Sequence, residues 1–123
     1  MAKSYKELNI WKRSYELVFV VYQQTKKFPK EERYALVDQI NRAVVSVSSN
    51  IAEGFGRGSN QELVRYCNIS KGSLFEIETQ IMIAERLGYI PETVKNDIIQ
   101  EIEEISRMIT SFQKTLTPKS TNT

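Results

Sequence analysis

Apolar residues return along this chain at intervals of three and four, the spacing of one face of a helix, and no stretch alternates long enough to make a strand. In the first stretch Leu8, Trp11, Tyr15, Val18 and Tyr22 keep that spacing. In the second it is kept by Leu36, Ile40, Val44, Val47 and Ile51, with Ala43 beside them, and in the third by Leu63, Tyr66, Ser70, Leu74, Ile77, Ile81 and Ala84. The fourth seam is the cleanest: Val94, Ile98, Ile102, Ile105, Ile109, Phe112 and Leu116, with Glu101, Glu103 and Glu104 outside it. Each stripe predicts the buried face of an amphipathic helix.

The helix breakers fall between these stripes. Pro29, the group Gly54, Gly56 and Gly58, the pair Gly88 and Pro91, and Pro118 are all the prolines and all but one of the glycines. They predict helices over about 8–27, 30–53, 59–87 and 91–116. Ser4 or Glu7 is the expected first cap, Gly54 the expected left-handed residue ending the second helix, and Ser59 with Glu62 a capping box for the third. Gly88 ends that helix and Pro91 opens the next. Loops this short force neighbours to run antiparallel, so the expected fold is an all-α, up-down-up-down four-helix bundle over residues 1–117. The polar tail, 118–123, is expected to be disordered.

Composition narrows the chemistry. The 123 residues suffice for one domain with a single core. The longest apolar run, Leu17 to Tyr22, is far too short to span a membrane, and with no secretory pattern before it the chain is expected to be cytoplasmic. One cysteine excludes an intrachain disulfide, and the absence of histidine removes the usual metal and acid-base residue. The net charge of +2 conceals an asymmetry: residues 1–75 hold 12 Lys/Arg against 7 Asp/Glu, whereas residues 76–123 hold 5 against 8.

Four constellations stand out. Asn50 and Glu53 on the second helix can meet Ser73 and Glu76 on the third; without a Glu-x-x-His motif they read as a buried polar network that fixes register rather than as a metal or catalytic site. The loop Gly54-Phe55-Gly56-Arg57-Gly58-Ser59 lacks the strand and the Gly-Lys-Ser/Thr of a nucleotide-binding loop and reads as a hairpin, beside which Arg57 and helix amides could take one phosphate of a polyanion. Lys12, Arg13, Arg42, Arg57, Arg65 and Lys71 are the candidate contacts to RNA or DNA backbone, by charge and shape rather than by stacking. Phe19, Val20, Phe75 and Met82 are apolar residues on otherwise polar faces and predict a subunit interface. Cys67, beside the third stripe, is expected to pack.

Leu8-x-Ile10-Trp11, Tyr22 through Phe28-Pro29, Gln39-Ile40-x-Arg42-Ala43, Ser49-Asn50-Ile51-Ala52-Glu53-Gly54 with Arg57, and Gly72-Ser73-Leu74-x-Glu76 before Leu87-Gly88-Tyr89 resemble the four-helix-bundle protein family encoded in intervening sequences of bacterial 23S rRNA genes. The resemblance covers about residues 5–90. It implies a homopentamer of up-down bundles, similar to the accessory protein of diversity-generating retroelements, which engages nucleic acid and a reverse transcriptase. It brings no enzymatic activity and no cofactor. Five copies at +2 each would carry +10, which favours polyanions. Asn41 stands where members often carry a second basic residue, and Ser48 where they often carry proline. The expected function is a non-enzymatic oligomeric accessory protein that binds RNA or DNA, with a nucleic-acid enzyme as a further partner. The alternative is a protein-interaction scaffold without nucleic-acid affinity.

Overall fold

The computed structural model describes residues 2–118. Four helices account for most of them: α1 (Asn9–Thr25), α2 (Leu36–Gly56), α3 (Asn60–Arg86) and α4 (Glu92–Leu116). Partner residues across the α2–α3 and α3–α4 seams count in opposite directions, which makes those neighbours antiparallel. Ser46 meets Ser73, Val47 meets Ser70 and Glu53 meets Tyr66 between α2 and α3; Lys71 meets Thr110 and Val64 meets Gln113 between α3 and α4. Helix α1 packs on α2 and α4 but not on α3. The result is an all-α four-helix bundle.

The core is mostly branched aliphatics stacked along the bundle axis. Leu17 and Val21, Ile40, Val44, Val47 and Ile51, Leu74, Ile77 and Ile81, and Ile102, Ile105 and Ile109 are almost wholly withdrawn from water. Each such burial contributes about 1.5–3 kcal/mol relative to exposure, which is what holds the four helices together. The stripes expected on α2, α3 and α4 are the ones observed, Leu36, Val94, Phe112 and Leu116 lying half-buried at the margins.

Helix α1 differs from expectation by one residue of rotation. Ile10, Ser14, Leu17, Val21 and Thr25 face inward, while Tyr15 and Tyr22 are exposed and Trp11 and Val18 half-buried. The aromatic stripe misled because two polar residues occupy the true core face. Both are satisfied: the Ser14 hydroxyl donates within α1 to the Ile10 carbonyl at 2.6 Å, and Thr25 donates across to Asn41 Oδ1 of α2 at 3.0 Å. The displaced aromatics form a surface row, with ring centres 5.1 Å apart for Tyr5 and Trp11, 4.8 Å for Trp11 and Tyr15, and 5.0 Å for Tyr15 and Phe19.

Helix ends also moved. Ser4 caps a short 3-10 turn, Tyr5–Glu7, ahead of α1 rather than α1 itself. A second 3-10 turn, Lys30–Glu32, replaces the expected start of α2, which begins only at Leu36. Gly54 is helical; the left-handed residues are Gly58 and Gly88, both at φ 84°. Glycine is needed at 54 for another reason, since an added Cβ would lie 2.6 Å from Tyr66 Cβ and 3.2 Å from Leu63 Cδ1 across the α2–α3 contact. Ser59 caps α3 as expected, accepting from the Glu62 amide at 3.2 Å. Of the expected tail, 119–123 lies outside the described residues.

Candidate functional site

The α2–α3 hairpin gathers two of the six predicted nucleic-acid contacts. Arg57, at the end of α2, and Arg65, in the second turn of α3, place their guanidinium carbons 5.2 and 4.7 Å from the Tyr66 ring centre, within cation–π range. Each is held by a carboxylate of its own turn: Arg57 donates to Glu53 at 2.9 Å, and Arg65 donates to both Glu62 oxygens at 3.0 and 3.2 Å. The Tyr66 hydroxyl donates to Glu53 at 3.2 Å. The hydrogen bond from Arg57 holds the Glu53 carboxyl below the usual carboxylate range, and that from Arg65 does the same for Glu62. Two arginines and two glutamates leave the cluster neutral.

The other four lie elsewhere. Arg13 reaches from α1 to α4, donating to both oxygens of Glu101 at 2.8 Å and approaching Glu104 at 3.2 Å. Arg42 is exposed and paired with Asp38 one turn earlier, at 3.1 Å. Lys71 donates to Thr110 at 3.1 Å on the α3–α4 seam, and Lys12 is exposed on α1. The six therefore do not form one patch. Three of the pairings were readable from spacing, since Asp38 and Arg42, Glu53 and Arg57, and Glu62 and Arg65 stand three or four residues apart.

The expected polar network is divided. No described hydrogen bond joins two of Asn50, Glu53, Ser73 and Glu76. Asn50 donates back to the Ser46 carbonyl at 2.8 Å, Glu53 belongs to the arginine cluster, and Glu76 accepts from Gln80 at 3.3 Å. Ser73 and Glu53 each cross between α2 and α3, but to other partners: Ser73 meets the Ser46 hydroxyl at 2.7 Å, and Glu53 accepts from Tyr66 at 3.2 Å. The reason is reach: glutamates near a helix surface find cations and amides on their own turn before they find each other. Among the described residues no group of three or more Cys, Asp and Glu side chains is placed to hold a metal ion. Cys67 is buried, and burial pushes its thiol up to about 11, leaving a packed group rather than a nucleophile.

The four predicted interface residues are all exposed: Phe19 by 49%, Val20 by 48%, Phe75 by 57% and Met82 by 51%. They have company. Tyr15 and Tyr22 lie exposed on the side of α1 that carries Phe19, Val20 is turned toward α4, and Ile69, Ile83 and Leu87 lie exposed on α3 as Phe75 and Met82 do. Gly72, three residues from both Ile69 and Phe75, has open space where a Cβ would stand.

One feature was missed because residues 30–53 read as an unbroken helix. The connection between α1 and α2 carries Lys26, Lys27, Lys30 and Arg33, none of them in an ion pair among the described residues, and the strongly exposed Tyr34. The signal was the cation run on both sides of Phe28-Pro29 ending in an aromatic residue.

This combination of bundle, apolar outer faces and dispersed cations defines a small all-α bundle protein, and among the described residues no helix is long and apolar enough to cross a membrane. The chain belongs to the 23S rRNA-intervening sequence protein family, which matches residues 6–111. Its fold is similar to the crystal structure of a protein of unknown function from the S23 ribosomal protein family of Bacteroides thetaiotaomicron VPI-5482, with a TM-score of 0.78, 23% identity, and coverage of 85% of this chain and 98% of that one. No curated protein matches.

Proposed function

We propose that this chain is a non-enzymatic accessory protein that self-associates through the apolar faces of α1 and α3 and holds RNA or DNA by its basic surface. The observation that carries the reading is the set of exposed apolar residues on α1 and α3, two helices whose backbones are not neighbours in the bundle. Apolar residues left exposed on a helix mark an interaction site, and among the described residues nothing within one copy covers them. Because the faces are unlike, pairing α1 of one copy with α3 of the next is heterologous and closes into a ring when the rotation permits. That geometry suits the pentamer implied by the family resemblance. The family's name ties it to 23S rRNA-intervening sequences, which supports a nucleic-acid partner and, with it, a nucleic-acid enzyme.

Light scattering tests the assembly. The wild type should be multimeric, and Phe75→Glu with Met82→Glu should yield smaller, folded particles; a monomeric wild type overturns it. Anisotropy of a labelled structured RNA across a salt series tests the binding, which should weaken steeply with salt as phosphate contacts are lost. A second reading, a scaffold without nucleic-acid affinity, is favoured by the carboxylate pairing of Arg13, Arg42, Arg57 and Arg65. Folded protein that binds no RNA at low salt would establish it.

A further inference from the structure

We propose that the α1–α2 connection is a site for single-stranded nucleic acid, in which an unpaired base stacks on Tyr34 while Lys26, Lys30 and Arg33 take the neighbouring phosphates; this rests on the nucleic-acid reading above and assigns it a place. Tyr34 is the most exposed large apolar or aromatic side chain among the described residues, at 85%. It is not exposed for want of structure around it. Phe28 is buried with its ring centre 5.2 Å from that of Tyr89, and the Tyr89 hydroxyl donates to Glu32 at 2.8 Å, so both sides of the 3-10 turn are tied to the α3–α4 loop. Backbone bonds from Arg33 to Lys30 at 3.1 Å and from Ala35 to Glu32 at 3.1 Å then set the segment that presents Tyr34.

Beside the ring is an open cleft of about 580 Å³. Its apolar floor is Phe28, Pro29 and Val37, and Lys26, Lys30 and Arg33 stand at its rim. The volume lies within the roughly 300–1,000 Å³ range of small-ligand clefts, room for a nucleobase and its sugar. The Arg33 guanidinium carbon lies over the Tyr34 ring, 5.7 Å from its centre, which sets a cation on one side of the stacking platform. An aromatic face among cations is the arrangement that holds single strands, because every base has a π-face and every link a phosphate.

Charge favours the same occupant. Residues 26–33 hold four cations and two carboxylates, a net +2 equal to the charge of the whole chain. One of those carboxylates, Glu32, is turned inward to Tyr89 and to the Leu36 amide, leaving Glu31 as the only one directed to water. The cations here are not neutralised as they are at the α2–α3 hairpin. A base-paired duplex offers no free base to Tyr34, so the site discriminates by strandedness.

The test uses the full chain and a labelled oligonucleotide of about 12 nucleotides, within the site size of such proteins, as single-stranded RNA, single-stranded DNA and duplex. Tyr34→Ala should weaken single-strand binding about 5- to 150-fold, the range expected for one stacked base. Tyr34→Phe should restore it, and neither should alter duplex binding. The triple change Lys26→Ala, Lys30→Ala and Arg33→Ala should flatten the salt dependence for single strands. Tighter binding of RNA than DNA adds a ribose hydroxyl contact, and equal binding leaves base and phosphate as the recognised groups; either supports the site. Wild-type binding unchanged in Tyr34→Ala overturns the site while leaving the nucleic-acid reading intact. No binding by folded wild type overturns both. A change of particle mass in Tyr34→Ala, with single-strand affinity unaltered, makes the surface a protein contact and overturns the site too.

Discussion

At its C-terminal end α2 runs so close to α3 that Gly54 has no room for a methyl group, and the cations there, Arg57 and Arg65, are each held by a glutamate. At its N-terminal end α2 follows a connection whose four cations have no carboxylate partner among the described residues and whose tyrosine stands in water. Both ends join successive antiparallel helices, through residues 57–59 at one end and 26–35 at the other, so topology is not the difference. Inside a helix, charges of opposite sign one turn apart pair with each other before any ligand arrives. In a 3-10 turn and the irregular residues after it, that spacing is lost. A count of cations therefore locates a binding surface poorly, and the share left unpaired locates it better.

The strongest test of this contrast is at Gly54. Gly54→Ala forces a methyl group against Tyr66 and should cost about 1–3 kcal/mol in urea denaturation. Gly72→Ala, on an open helix surface, should instead raise monomer stability by up to about 1 kcal/mol. Equal losses at the two glycines would erase the distinction between a tight hairpin and an open face.

Cys67, next to Tyr66, tests how well the hairpin end is sealed. Its thiol rises from the ordinary value of 9.0 to about 11, so the protonated form is favoured by folding. Stability from that preference is complete below 9.0 and is lost as pH climbs toward about 11. The denaturation midpoint should fall over that interval more in the wild type than in Cys67→Val, and the native thiol should react with a disulfide reagent only on unfolding. Ready reaction in the native state would show the seal to be open. The smallest effect belongs to the other end: Tyr34→Ala should change stability by no more than about 0.5 kcal/mol, since the side chain is exposed. A larger loss would mean that Tyr34 holds the connection together.

The bundle was legible because Ile, Leu and Val recur at helical spacing on α2, α3 and α4, and because Ser59, Gly88 and Pro91 are strong boundary residues. Helix α1 was misrotated because periodicity weighs Tyr15 and Tyr22 as core and Ser14 and Thr25 as surface, while a hydroxyl buries readily once it finds an acceptor, on its own helix for Ser14 and on α2 for Thr25. Gly54 was recognised as necessary for a reason of backbone conformation; the actual reason, contact with Tyr66, needs the partner helix to be seen. The cations were visible one by one, but which of them a carboxylate neutralises across a seam, as Glu101 does Arg13, depends on tertiary placement.

The row of Tyr5, Trp11, Tyr15 and Phe19 has an optical consequence. Trp11 is the chain's one tryptophan, and its ring stacks on Tyr15 at an interplanar angle of 16°. Light absorbed by the flanking tyrosines is passed to a single, half-buried emitter on α1, so the protein carries its own fluorophore on the side of α1 proposed above for self-association. A blue shift of that emission with concentration would follow the covering of this face in unlabelled protein.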